Sequence, residues 1–330
     1  MRRGRSPAQG DRAPESVDKS RTRPQARRVI PRPASPPAID QARWDHGWYW
    51  SHDGLRLHYR DLPGPADRPA LLCLPGLTRN SADFAALAQR LAGQWRVVAP
   101  DLRGRGESAW PRDSLTYVPL TYLLDLGLLI AAAGLQRFVV LGSSLGGALA
   151  LQLTTGHRAA MAGVILNDYG PAVEPAGLAR LRANVGRGGN WPTWIHAARD
   201  LAQRNGDSYP GWQLPDWLAF ARRLCRLTAA GRIVFDYDPR IAEPFRLPHG
   251  DAGSDLWLAL DALAGLPVLS LRGALSDVLA PDTQAAMARR LPQLRVVTVP
   301  GVGHAPTLDE PAAAAAIDAM LADVLKGENA

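Results

Sequence analysis

Six short segments of this chain are apolar almost from end to end, and each is followed downstream by a stretch with helical spacing. They are ALLCLPG (70–76), WRVVAP (95–100), RFVVLG (137–142), MAGVILND (161–168), LPVLSLRG (266–273) and LRVVTVPG (294–301). A strand with one wet face alternates apolar and polar residues, whereas a continuous apolar run must be covered on both faces. Helices supply that cover, and the intervening segments read as helices: SADFAALAQRLAG (81–93), YVPLTYLLDLGLLIAAAG (117–134), LGGALALQLTTG (145–156), PDTQAAMARRL (281–291) and PAAAAAIDAMLADVLKG (311–327). Ser81 is the expected N-cap of the first. The pattern predicts an α/β fold, a mostly parallel, doubly wound sheet with helices on both faces.

The rhythm breaks between residues 171 and 260. That segment shows no buried strand, but has helical stretches at 175–183, 191–204 and 214–228 and four tryptophans, Trp191, Trp194, Trp212 and Trp217. A helical insertion with large apolar side chains suits a lid over a site at the strand ends, with the tryptophans lining a substrate pocket. The same tryptophans equally suit a packed core of the insertion itself. The expected organisation is a core of 41–170 and 261–330, a cap of 171–260, and a leading segment of 1–40.

Charge is concentrated in that leading segment. The whole chain of 330 residues carries +7, but residues 1–40 hold nine Arg and one Lys against four acidic residues, leaving the other 290 at +1. Seven prolines and few large apolar residues predict disorder for 1–40. The basic balance therefore does not point to a nucleic-acid partner for the folded part. No run reaches the ~18 apolar residues that span a bilayer; TYLLDLGLLIAAAGL (121–135) comes nearest, and Asp125 interrupts it. The two cysteines, Cys73 in a strand and Cys225 in a helical stretch, read as buried thiols in a reducing, cytoplasmic compartment.

The chemistry-bearing motif is VVLGSSLGG (139–147). Centred on Ser144, it completes G-x-S-x-G with Gly142 and Gly146; centred on Ser143, the flanks would be leucines and the motif fails. A nucleophile on a sharp strand-to-helix turn needs tiny neighbours two residues away on either side. A serine hydroxyl also needs a base oriented by an acid. Of seven histidines, His304 in VPGVGHAP follows the last strand directly on a glycine-rich loop. Asp277, in LSLRGALSDVLAPD, is the favoured acid, with Asp168 at the end of VILND as its alternative; both lie beyond strand ends. No phosphate-binding glycine motif and no zinc-like Cys/His spacing occurs, so neither cofactor nor metal is expected.

Four stretches taken together, LPGLTRN (74–80), DLRGRGES (101–108), GSSLG (142–146) and the RGALSD…GVGH pairing, resemble the α/β-hydrolase superfamily over residues 43–170 and 262–326. The resemblance implies an oxyanion hole from the backbone N–H groups of Leu77 and Leu145, in a loop where Pro75-Gly76 replaces the family's usual His-Gly pair. It implies a structural role for DLRGRGES, with Asp101 and Arg103 fixing loops near the site.

The expected function is a cofactor-free serine hydrolase of the esterase or lactonase kind. It would cleave an ester or lactone with an apolar portion, since the lid offers tryptophans and few charges for anions. The expected partners are a small acyl substrate and water. Alternatives are a carbon–carbon bond hydrolase or acyltransferase on the same triad, or a non-enzymatic ligand-binding protein of this fold.

Overall fold

The computed structural model describes residues 43–244 and 256–328; the leading segment 1–40 lies outside them. The described chain opens with strands β1 (Asp45–Trp50) and β2 (Arg56–Leu62), then β3 (Ala70–Leu74) and helix α1 (Ala85–Leu91). Strand β4 (Val97–Asp101), helix α2 (Pro119–Ala132), strand β5 (Phe138–Ser143) and helix α3 (Leu145–Gln152) follow. A short helix α4 (Thr154–His157) leads into strand β6 (Met161–Asn167). After an insertion come α8 (Leu256–Asp261), β10 (Val268–Gly273), α9 (Pro281–Arg290), β11 (Leu294–Val299) and α10 (Pro311–Glu328).

The eight strands of the main sheet run in the order β1-β2-β4-β3-β5-β6-β10-β11. The β1–β2 and β2–β4 pairs are antiparallel, and every later pair is parallel. All residues of β3, β4, β6 and β10 are buried, as the continuous apolar runs predicted. Truncating one of these side chains, such as Leu72 of β3, removes transfer energy and leaves a cavity, at a cost of ~2–5 kcal/mol. Helix α2 buries Tyr122, Asp125, Leu126 and Leu129 on one face. Its single charge, Asp125, is held there by two bonds from Arg103, both 2.7 Å.

Asn80, not Ser81, caps the turn before α1, accepting from the Ala82 N–H at 3.0 Å. The Ser81 N–H instead donates to Asp101 at 2.8 Å. The neighbouring asparagine thus took the cap position that local propensity assigned to the serine, whose own N–H is taken by Asp101 at the end of β4.

Between β6 and β10 the chain forms α5 (Pro175–Asn184), β7 (Asn190–Trp191), α6 (Trp194–Asn205), α7 (Leu214–Leu224), β8 (Cys225–Leu227) and β9 (Ile233–Phe235). The three helices match expectation; the small antiparallel sheet β7-β9-β8 does not. Its strands are two or three residues long, too short for a period-2 pattern, and Cys225 opens β8 rather than extending the helix. The insertion is stitched to the core at the DLRGRGES loop, where Gly106 donates to the Asp236 carbonyl and Asp238 to the Gly104 carbonyl. Both cysteines are buried free thiols, and no helix among the described residues is long and apolar enough to cross a membrane.

Candidate active site

The chain turns sharply from β5 into α3 at Ser144, whose φ of 52° and ψ of −116° lie outside ordinary helix and strand space. A non-glycine residue held there stores backbone strain, which persists only where the surroundings enforce it. The glycine frame explains how it is tolerated. A Cβ on Gly142 would sit 2.2 Å from the Gly146 carbonyl oxygen, and one on Gly146 would sit 2.1 Å from that of Leu74. Neither position admits a side chain.

Ser144 Oγ lies 2.8 Å from Nε2 of His304, and His304 Nδ1 lies 2.6 Å from Oδ2 of Asp168. An ionised carboxylate only accepts, so Nδ1 carries the proton and Nε2 accepts from the serine hydroxyl. Asp168 is fully buried and fully engaged: Gly273 N–H donates to Oδ1 at 2.8 Å, and the Ser276 hydroxyl to Oδ2 at 2.6 Å. Like Ser144, it has positive φ, at 54°. Strands β5 and β6 are in register at Ser143 and Asn167, so the two strained residues sit side by side, one step past their strands.

Asp277, the acid favoured from sequence, is elsewhere engaged. Both its carboxylate oxygens receive Arg180 of α5, at 2.5 and 2.7 Å, and the bidentate pair lowers its pKa. Asp168, the alternative, occupies the position facing His304. Three residues separate Asp277 from the end of β10, enough for the loop to turn it toward the insertion; Asp168 follows β6 directly. Ser143 is bound by the Asn167 amide at 3.0 Å and makes no link to the histidine.

The loop carrying Leu77 is held by Arg105, the second arginine of the DLRGRGES segment for which the resemblance implied a structural role. Arg105, fully buried, donates from Nε and Nη2 to the Leu77 carbonyl at 2.9 and 2.7 Å, and from Nη1 to the Arg103 carbonyl and the Tyr122 hydroxyl. Its neighbours act as the motif implied. Asp101 accepts from Ser81 N–H, Glu107 N–H and His58, while Arg103 bridges Asp53 and Asp125. Burial opposes ionisation of Asp101, but His58 and the two backbone donors outweigh it and hold its pKa well below the carboxylate range.

The histidine loop is gripped by the insertion. Gly303 N–H donates to the Ser208 carbonyl at 2.6 Å, and the Tyr209 hydroxyl to the Ala305 carbonyl at 2.8 Å, one bond on each side of His304. Burial pushes the Tyr209 pKa up to about 12, so it remains a donor.

Ser144 and His304 open on a cavity of about 280 Å³, whose lining includes Leu77 and Leu145. None of Trp191, Trp194, Trp212 or Trp217 is among the lining residues; the aromatic walls are Phe84, Tyr169, Tyr209 and Phe220. Trp212 and Trp217 pack behind Tyr209 and Phe220, Trp191 meets the edge of Phe235, and Trp194 lies under Arg222. The tryptophans build the core of the insertion, the second of the two readings open from sequence. The expected poverty of charge also fails: Arg79, Arg180, Arg182 and Arg223 all line the cavity.

The sheet order, the strained serine turn and the Ser–His–Asp chain define an α/β hydrolase, and the chain belongs to that family: the alpha/beta hydrolase family model matches residues 71–317. A 3-hydroxybutyrate-oligomer hydrolase of Cupriavidus necator is 34% identical over 264 residues, covering 78% of this chain and 89% of that one. A crystal structure of an alpha/beta hydrolase from Novosphingobium aromaticivorans superposes with a TM-score of 0.82 at 51% identity, covering 85% of this chain and 99% of the other. A 2-(acetamidomethylene)succinate hydrolase of Mesorhizobium japonicum is 28% identical over 72% of this chain and 81% of its own.

Proposed function

We propose that the protein is a serine ester hydrolase working through an acyl-enzyme on Ser144. His304 Nε2 removes the serine proton as Oγ attacks the ester carbonyl, then delivers it to the departing alcohol. Asp168 keeps the proton on Nδ1 and stabilises the imidazolium formed in between. The amide N–H groups of Leu77 and Leu145 receive the developing oxyanion, Leu145 at the positive end of α3. Water, deprotonated by the same imidazole, then releases the acid.

The observation carrying this reading is the unbroken chain Ser144 Oγ–His304–Asp168, at 2.8 and 2.6 Å, facing the cavity. Leu178, Leu181 and Leu224 in the wall suit a short aliphatic ester or lactone, and the relative named for 3-hydroxybutyrate oligomers supports that class. The described part of the insertion, residues 171–244, acts as the cap, closing the cavity with Tyr209 and Phe220. Two buried thiols fit a cytoplasmic setting.

A fluorophosphonate probe followed by peptide mass mapping tests the nucleophile. Labelling falls on Ser144 and vanishes in Ser144→Ala; a folded sample that takes no label, or takes it on another serine, overturns the proposal.

A further inference from the structure

The cavity arginines differ in how they are compensated. Arg79 gives both Nε and Nη2 to Asp83, each at 2.5 Å. Arg180 does the same with Asp277. These two are neutralised by bidentate pairs and have little left for a ligand.

Arg223 is different. Its ion pair, with Asp309, spans 4.0 Å, beyond hydrogen-bonding distance, and its buried Nε has no hydrogen-bond partner among the described residues. It sits in the last turn of α7, with Phe220 and Leu224 of the same helix beside it in the cavity wall. The guanidinium carbons of Arg223 and Arg79 stand 5.9 and 4.4 Å from the Phe220 ring centre, so two cations neighbour one aromatic ring. The side chain keeps 22% of its surface exposed, but shutting its Nε donor away from water without an acceptor costs stability. A residue left in that state at the wall of a reaction cavity is suited to an anion that arrives with the substrate.

We propose that Arg223 anchors a free carboxylate carried by the substrate, so that the enzyme selects carboxylate-bearing aliphatic esters over neutral esters of the same size. The fork of the guanidinium matches a carboxylate, and the surrounding cavity weakens the competition from water. Asp309, 4.0 Å from Nη1, competes weakly with the incoming group. This rests on the reading that Ser144 cleaves an ester, and it makes the substrate of that reaction an anion.

The test uses two matched pairs: monoethyl adipate against ethyl hexanoate, and 3-acetoxybutanoate against 2-pentyl acetate, followed by pH-stat. One pair carries the carboxylate on the acyl side and the other on the alcohol side. In at least one pair, kcat/KM of the wild type favours the anion by about tenfold or more, as expected for one charge-assisted interaction. Arg223→Met brings that ratio toward one through KM, Arg223→Lys keeps part of it, and Asp309→Asn raises it by removing the competitor. Ratios near one in both wild-type pairs overturn the proposal, as does a ratio that survives in Arg223→Met. If Arg223→Met does not fold, a ratio lowered in Asp309→Asn overturns it. Turnover that persists in Ser144→Ala instead defeats the ester-hydrolase reading, and is a separate result.

Discussion

Oδ2 of Asp168 stands 2.6 Å from Nδ1 of His304 and accepts the Ser276 hydroxyl at the same distance, while Oδ1 takes the Gly273 N–H. The carboxylate is therefore fixed by two groups at the mouth of β10, the strand next to its own. Its position depends on the β6–β10 pairing, in which Asn167 is in register with Leu271. The acid comes from one strand and is locked by the next.

Arg105 touches no substrate, and its effect on rate passes through the Leu77 loop. Arg105→Gln shortens the side chain and leaves the Leu77 carbonyl without its two donors. A misplacement of about 1 Å in a reacting site costs ~10²-fold in rate. We expect kcat to fall by about that factor with KM changed far less, and the melting temperature to drop as well. Equal kcat in a folded variant would show that the loop holds itself.

Tyr209 ties the insertion to the residue after His304. Tyr209→Phe keeps the ring packed against Trp212 and Trp217 and removes only the hydroxyl. The loss of one neutral hydrogen bond is worth ~0.5–1.5 kcal/mol, so kcat should fall about three- to tenfold. Because the ring stays, KM for a neutral ester is the control. A fall in stability without a fall in kcat would make the contact purely structural.

Asp101 links acid stability to the same region. Its folded pKa lies below the ordinary 3.8, so its contribution is complete above that value and is lost as pH falls through the folded pKa. Asp101→Asn removes a carboxylate accepting from His58 and two backbone N–H groups, at ~2–4 kcal/mol near neutral pH. Denaturant melts of both proteins should show the difference shrinking as the pH drops below about 4. A pH-independent difference would mean that the charge of Asp101 does not matter.

Most of what positions the site can be read from local sequence. The apolar runs predict the strands, the glycines at 142 and 146 predict the turn at Ser144, and the loop after β11 predicts His304. The acid cannot be read that way. Asp168 and Asp277 both follow strands, and only the register of β5 with β6 and the reach of Arg180 from the insertion separate them. Asn167-Asp168, polar residues directly ending an all-apolar run next to the nucleophile's strand, was the available signal. Arg105, Tyr209 and the cavity arginines depend on contacts between distant segments and leave no spacing to detect. The tryptophans misled because large apolar side chains serve a pocket and a core alike, and here Tyr209 and Phe220 stand between Trp212, Trp217 and the cavity.

The central claim, that Ser144 is driven by His304 and Asp168, is tested by comparing Asp168→Asn and Asp277→Asn on p-nitrophenyl butyrate, with thermal melts to confirm folding. Asp168→Asn should lose ~10⁴ in kcat, the scale for removing a carboxylate that orients a triad histidine. Asp277→Asn, which gives up only its pair with Arg180, should keep kcat within about tenfold of wild type. A folded Asp168→Asn with near-normal kcat, beside an Asp277→Asn that has lost it, would contradict the assignment.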